Sequence, residues 1–346
     1  MIEIDGSFGE GGGQILRTSL TLSAIFNKAI VIENIRAKRS KPGLRPQHLT
    51  CVRAMAKVTG AKVEGAEIGS KNLCFHPSSI LQGNYLFDVA EKRKSAGSVA
   101  LIFQTLLLPL SLAKGISRVT IKGGTHVPWS PPFDYLSKVF LPTVSRMGIC
   151  STLDIIRCGW YPEGGGEVRA VIHPIRSLKS IFLTERAQSL HIEVTCASSN
   201  LPSHIIDREN IRIESRLKER GLKVAFRTLD VPAVGQGNAV FLCAKNEHTI
   251  AGFSSLGKRG KKAETVADEV ADAFFHFLDG GAPVDTHLSD QLLPYMALAQ
   301  GTCAIFSEQI TQHLLTNIWA IQKFGDISFQ VEGNQGEKGK VTKISW

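Results

Sequence analysis

Pro46-Gln-His-Leu-Thr-Cys-Val-Arg-Ala-Met-Ala-Lys-Val-Thr-Gly60 and Pro132-Phe-Asp-Tyr-Leu-Ser-Lys-Val-Phe-Leu-Pro-Thr-Val-Ser-Arg-Met-Gly148 carry one signal twice. Each opens on a proline, which suits the first turn of a helix, continues with apolar residues at helical spacing, and stops on a glycine. The two glycines stand 88 positions apart. The surroundings repeat as well. Before Pro46 the pattern gives a helix from Gln14 to Ile25 and a strand from Ala29 to Ile35, and after Gly60 two short strands, around Lys62 and from Leu73 to His76. Before Pro132 it gives a helix from Gly97 to Leu112 and a strand from Arg118 to Lys122, and after Gly148 strands from Ser151 to Ile156 and Glu167 to His173.

A third copy can be read near the C-terminus: helix Leu288 to Ala299, strand Cys303 to Ser307, helix Gln312 to Lys323, a stop at Gly325, and strands Ile327 to Val331 and Lys340 to Ile344. It is interrupted. After a strand at Ser180 to Leu183 comes a stretch with its own alternation: strand Leu190 to Thr195, helix His204 to Arg220, strands near Val224 and Val240, and helix Ala263 to Leu278. A unit that cannot bury its sheet alone implies copies packed around a shared core. The expected fold is therefore mixed α/β, of the α+β kind, with three βαβαββ-type units packed together and a smaller α/β domain inserted in the third. The expected core domain covers residues 1–182 and 280–346, and the insertion 183–279.

Composition fits a globular enzyme. The 346 residues are 43% apolar and 21% charged, far from disordered or membrane compositions. Lys plus Arg exceed Asp plus Glu by 40 to 31, which favours anionic partners such as nucleotides or nucleic acid. Seven cysteines stand singly with no Cys-x-x-Cys pair, as reduced structural thiols do. Met1-Ile-Glu-Ile-Asp5 lacks a basic, apolar leader, and the apolar run from Ala100 to Leu112 is broken by Gln104 and Pro109. The expected location is cytoplasmic, with no membrane association.

Several segments bear chemistry. Asp5-Gly-Ser-Phe-Gly-Glu-Gly-Gly-Gly-Gln-Ile-Leu-Arg17 runs glycines directly into a helix, so it is either a structural turn or a loop whose amides approach an anion. It is neither a Walker loop nor a dinucleotide fingerprint. Glu10 among these glycines suits a hard cation such as Mg²⁺. Arg36-Ala-Lys-Arg-Ser-Lys-Pro-Gly-Leu-Arg-Pro-Gln-His48 holds five cations in thirteen positions, a phosphate-binding loop or a solvated basic one. His287-Leu-Ser-Asp-Gln291 and Gln312-His-Leu-Leu-Thr-Asn317 each sit at a helix start, where a histidine is either a packed cap residue or one whose neighbouring amides face a phosphate. Trp129, in Val127-Pro-Trp-Ser-Pro-Pro132, either stacks on a base or packs on the scaffold, and Lys258-Arg-Gly-Lys-Lys262 is an RNA contact or a solvated turn.

Taken together and in this order, Gly9-Glu-Gly-Gly-Gly-Gln-Ile-Leu-Arg17, Lys41-Pro-Gly-Leu44 with Gln47-His-Leu49, Gly123-Gly-Thr125, Tyr161-Pro-Glu-Gly-Gly-Gly166, Ser255-Leu-Gly-Lys-Arg-Gly260, Asp290-Gln291 and His313 resemble the RNA 3'-terminal phosphate cyclase family over the whole chain. The resemblance implies three repeats like the C-terminal domain of translation initiation factor three, with a smaller domain in the third. It also implies an ATP-dependent enzyme acting on RNA with a 3'-phosphate end, closing a 2',3'-cyclic phosphate through a covalent histidine-AMP and an RNA-adenylate. On matching positions, His313 is the implied nucleophile, and Gln104, Pro131, His287, Leu288, Ser289, Asp290 and Gln291 the implied nucleotide pocket. Arg17, Arg36, Arg39 and Gln47 are implied around the phosphates, and Glu10 as the carboxylate linked to a divalent cation, Mg²⁺ or Mn²⁺. The chain departs from the family at Cys158, where a basic residue is common before the glycine. Two other classes share this architecture, a cyclase-like ribosome-assembly protein without the histidine and an enolpyruvyl transferase. The oligomeric state is not legible.

Overall fold

Helix α1 spans Gly13–Phe26 and α2 Pro46–Thr59 in the computed structural model, which describes residues 1–90, 95–187 and 189–344. Both end in a left-handed residue, Asn27 at φ 49° and Gly60 at φ 61°, the conformation that closes a helix by returning an amide to its last turn. With them goes a sheet of β1 (Ile2–Asp5), β2 (Ile30–Glu33), β3 (Lys62–Glu64) and β4 (Leu73–His76) in the order β1-β2-β4-β3. Only β1 and β2 run parallel.

The next sheet joins β5 (Asn84–Asp88), β6 (Ser117–Gly123), β7 (Cys150–Arg157) and β8 (Gly166–His173) in the order β5-β6-β8-β7, again with one parallel pair at the start. Its helices are α3 (Val99–Ser111) and a segmented stretch of α4 (Phe133–Tyr135), a π turn at Leu136–Phe140, and α5 (Leu141–Ser145). The sequence pattern predicts one continuous helix here. Pro142 brings no N–H for the carbonyl of Lys138, and the Leu141 amide bonds instead to Leu136 O, which widens the turn.

Strand β9 (Phe182–Leu183) begins a third sheet that is completed far downstream. Between lie β10 (His191–Ser199), α6 (His204–Glu219), β11 (Val224–Asp230), β12 (Gly237–Lys245), β13 (Ile250–Leu256) and α7 (Ala263–Gly280), which form a sheet ordered β11-β10-β12-β13 with α6 and α7 against it. Then α8 (Thr286–Leu298), β14 (Cys303–Ser307), α9 (Gln312–Gln322), β15 (Ser328–Glu332) and β16 (Gly339–Ile344) follow, and β9-β14-β16-β15 pair in the order and sense of the first two sheets.

Burial decides the layering. Ten of the fourteen residues of α1 and eleven of the thirteen of α3 are buried, whereas β3 and β7 are largely exposed, so in this part of the chain these helices lie inside and the sheet edges outside. Helix α1 lies against α2, α3 and α9, and α8 against α9. Residues 190–278 have a separate core built on Phe274, Phe277 and Phe253, although Phe241 and Cys243 of β12 pack into the larger one. Leu183, assigned to the insertion by the sequence reading, also belongs to the larger core and pairs with Ile305. Strand β13 is buried without alternation, lying against α4, the π turn and α7, which hides it from a period-two reading. No helix among the described residues is long and apolar enough to cross a membrane, and all seven cysteines are free.

A buried ion pair closes the base of the loop that precedes α4. His126 Nε2 lies 3.0 Å from Asp134 Oδ2, Nδ1 meets Thr125 Oγ1 at 2.8 Å, and the ring packs on Trp160, whose Nε1 donates to Ser199 Oγ at the end of β10. Burial opposes the charged ring, but Asp134, with Cys158, outweighs it and lifts the imidazole to about 9. A raised folded value stabilises fully below the unfolded pKa of about 6.5, less as the pH climbs, and not at all above the folded value. Urea unfolding of the native chain, compared with His126→Gln, is therefore expected to lose its relative stability between about pH 6.5 and about pH 9; a pH-independent difference would contradict this.

Candidate functional site

His313 is the second residue of α9, where Thr311 caps the helix by accepting from the Leu314 amide at 3.0 Å. Its ring is held from one side. Nδ1 is hydrogen-bonded to Asp290 Oδ2, and the same carboxylate oxygen accepts from Gln14 Nε2 at 3.1 Å. A carboxylate on Nδ1 fixes the hydrogen there, which leaves the Nε2 lone pair free. Nε2 lies 3.8 Å from Glu10 Oε2. Below this contact, Asn317 Nδ2 donates to Asp290 O at 2.8 Å and Thr18 Oγ1 to Asn317 Oδ1 at 2.7 Å, so α1, α8 and α9 meet along a buried polar seam. Asp285 orients α8 as its N-cap, accepting from the amides of His287 and Leu288 and from Tyr135 Oη at 2.7 Å; burial holds its carboxyl above the usual range.

The glycine cluster brings the turn before α1 to this helix. Gly9 has φ +52°, and a Cβ there would stand 2.2 Å from Thr316 Oγ1 on α9. A Cβ on Gly13 would meet His48 Nε2 at 2.3 Å. These are close approaches that only glycine permits. Phe8 stacks on Trp319 of α9 with ring centroids 4.0 Å apart, which seats the turn, and the Glu10 amide reaches Thr316 Oγ1 at 3.4 Å.

The basic loop closes over the same place. Arg39 Nη2 meets Glu10 Oε1 at 2.5 Å, while Arg36 Nη1 donates to the carbonyls of Lys41 and Gly43 at 2.7 and 3.0 Å. Burial, with the nearby charges of Arg39 and Arg45, holds the Arg36 guanidinium below its usual range, and burial does the same to Arg17. His48 is pushed down to about 3 by burial and by Arg17, Arg36 and Arg45, so it stays neutral and its Nδ1 accepts from the Arg45 amide. Guanidinium groups gathered and partly buried at one place mark a site that an anion would stabilise.

These groups line one cavity of about 1100 Å³. Of the residues singled out in the sequence, Glu10, Arg17, Arg36, Arg39, Gln47, Gln104, Pro131, His287, Asp290, Gln291 and His313 all face it. Gln104 Nε2 donates to Gln291 Oε1 at 2.6 Å, and Gln47 Oε1 accepts from the Ser98 amide at the start of α3. Leu288 and Ser289 do not face it. Helical rotation turns Leu288 into the larger core and Ser289 onto Ser307 Oγ at 2.6 Å, so neither side chain lines the pocket. Phe253 and Ser254 of β13 and Ala273 of α7 complete the wall. The sequence reading missed Gln14, Thr18 and Asn317 as supports, although Thr18 falls four residues after Gln14, and Asn317 four after His313, so each pair shares a helix face.

The arrangement suits nucleophilic attack on a phosphorus: a nitrogen lone pair, a partner holding its other nitrogen, and guanidinium groups for the phosphate oxygens. Among the described residues no group of three or more His, Cys, Asp or Glu side chains could hold a metal ion by itself.

Residues 8–331 match a family model described as RNA 3'-terminal phosphate cyclase. Curated proteins of that name are similar along nearly the whole chain. That of Methylococcus capsulatus is 45% identical over 94% of this chain and 91% of its own, that of Archaeoglobus fulgidus 40% identical over 97% and 99%, and that of Pyrococcus furiosus 39% identical over 99% of each. Among solved structures, the enolpyruvyl transferase NikO from Streptomyces tendae aligns over 99% of this chain and 65% of that one, at 12% identity and a TM-score of 0.30, too loose a likeness to bear on fold or function.

The seating of Glu10 beside His313 rests on Gly9. Gly9→Ala is expected to lower stability by about 1–3 kcal/mol, through left-handed strain and the contact with Thr316, and to shift Glu10 away from the ring. Chemical denaturation together with the chemical shifts of the His313 ring checks this; an unchanged midpoint and unchanged shifts would show that the turn tolerates a side chain.

Proposed function

The chain belongs to the RNA 3'-terminal phosphate cyclase family, and from that premise we propose that it uses ATP to convert an RNA 3'-terminal phosphate into a 2',3'-cyclic phosphate through AMP carried on His313. The observation that carries this reading is the Asp290 carboxylate on His313 Nδ1, which leaves Nε2 as a nucleophile facing a cation-lined cavity. In the first step Nε2 attacks the α-phosphorus of ATP, the bond to the bridging oxygen breaks, and pyrophosphate leaves. Asp290 balances the positive charge that develops on the ring. In the second step an oxygen of the RNA 3'-phosphate attacks the same phosphorus, the P–N bond breaks, and His313 recovers its lone pair. In the third, the neighbouring 2'-hydroxyl attacks the terminal RNA phosphorus, loses its proton to water, and expels AMP. ATP cleavage thereby drives a ring closure that is unfavourable in water.

The other cavity residues have supporting roles. Arg17, Arg36 and Arg39 neutralise phosphate oxygens, with Gln47 beside them. Gln104, Gln291, Pro131 and His287 bound the space for the base and sugar, while Asp290 acts on His313 rather than on the nucleotide. Glu10, whose Oε1 is paired with Arg39, would be the carboxylate that holds a divalent cation, magnesium or manganese, and the ion would supply charge neutralisation to the triphosphate when bound. The same reading takes the three sheets of common strand order as copies of one βαβαββ unit, and residues 183–279 as a domain inserted in the third. Seven free cysteines support a cytoplasmic location.

With ATP labelled on the α-phosphate and a divalent cation, the native protein should retain label and His313→Ala should retain none. Asp290→Asn keeps the shape but favours the wrong tautomer, and is expected to slow labelling on the order of 10²- to 10⁴-fold. Equal labelling of His313→Ala would move the nucleophile elsewhere; equal rates for Asp290→Asn would remove Asp290 from the mechanism.

A further inference from the structure

Trp129 is 95% exposed, the most exposed of the large apolar side chains among the described residues, and it sits on the rim of the same cavity. Its φ is +59°, a left-handed conformation that L residues seldom adopt and that is uncommon for a bulky side chain. An indole left in water on a strained backbone needs a reason, and packing against the scaffold does not supply it here.

The loop that presents it is pinned. His126 and Asp134 form the buried ion pair across its base, the Phe133 amide donates to Thr125 O at 3.0 Å, and Ser130 Oγ donates to Val127 O at 3.3 Å. Pro128, Pro131 and Pro132 stiffen what lies between. The ring therefore stands out on a base with little freedom to lose on binding. Pro131, two residues on, bounds the nucleotide space of the proposed mechanism, and the guanidinium groups of Arg17, Arg36 and Arg39 line the same cavity.

Two ligands enter this cavity in the proposed reaction. A mononucleotide is contained by it, whereas an RNA chain runs out through its mouth, and a nearly fully exposed ring can wall only the mouth. Resting on the proposed cyclase activity, we infer that Trp129 is a stacking platform for a base in the 3'-terminal segment of the RNA, holding the strand as its phosphate reaches His313. Stacking uses the face that every base has, so the platform selects a single-stranded end without selecting sequence.

The test uses the full chain and short single-stranded RNAs bearing a 3'-phosphate and each of the four terminal bases. Trp129→Ala should raise the KM for RNA on the order of tenfold, for all four ends, and by much more than it raises the KM for ATP in label transfer to His313 without RNA. Trp129→Phe should restore most of the loss, since a smaller ring still stacks. RNA should quench tryptophan emission in the native protein, and much less in Trp129→Phe. An unchanged RNA KM in Trp129→Ala would overturn the proposal, and so would a loss confined to ATP. If the native protein proves unable to label His313, the cyclase reading falls, while the emission measurement still decides the stacking: no difference in quenching between native and Trp129→Phe would overturn it.

Discussion

Asp290 is the point on which three helices agree. Its side chain takes Gln14 from α1 and His313 from α9, and its carbonyl takes Asn317, which in turn takes Thr18. The bonds from α1 close sequence separations of 276 and 299 residues. In a low-dielectric interior each partner left unpaired carries its full desolvation penalty, so the members hold one another in place as a set. This seam fixes the distance between the two ends of the chain and aims the His313 ring. The glycine turn, the basic loop and the cavity floor are arranged around it.

The charge distribution serves the same place. A net +9 spread evenly would say little, but Arg17, Arg36, Arg39 and Arg45 are drawn together at the start of α1 and α2, where Glu10 is the carboxylate that Arg39 meets. Burial depresses Arg17 and Arg36, and with these cations it keeps His48 neutral as an acceptor for the loop backbone. Such concentration of like charge is costly to the folded state and is relieved by an anion. Stability is given up where binding needs it.

Residues 190–278 have their own core, yet they are bonded to the rest at several points. Lys138 of the π turn reaches Glu193 and Thr195 at 2.5 and 2.8 Å, Asp285 accepts from the Gly252 amide, and Trp160 bonds to Ser199. Their ladder of surface ion pairs between α6 and α7, from Arg208–Glu264 to Arg220–Asp279, adds little to stability beside the phenylalanines beneath. Their relevance to the site is the wall made by Phe253, Ser254 and Ala273.

The sequence by itself determined most of the helices and strands and the order in which they follow, because proline starts, glycine stops and apolar spacing act locally. It also marked Glu10, the arginines and His313, through residue types that apolar packing does not explain. Strand β5 escaped it because an edge strand buries little, and β13 because burial without alternation leaves no period. The side chains of Leu288 and Ser289 turn away from the cavity because neighbours on a helix point about 100° apart, so adjacency in a motif does not put every side chain into one pocket. Only the tertiary structure decided that Asp290 serves His313, that Gln14 and Asn317 hold Asp290, and that Trp129 stands in water. Those facts depend on which helix faces meet across hundreds of residues, and no local pattern carries that information.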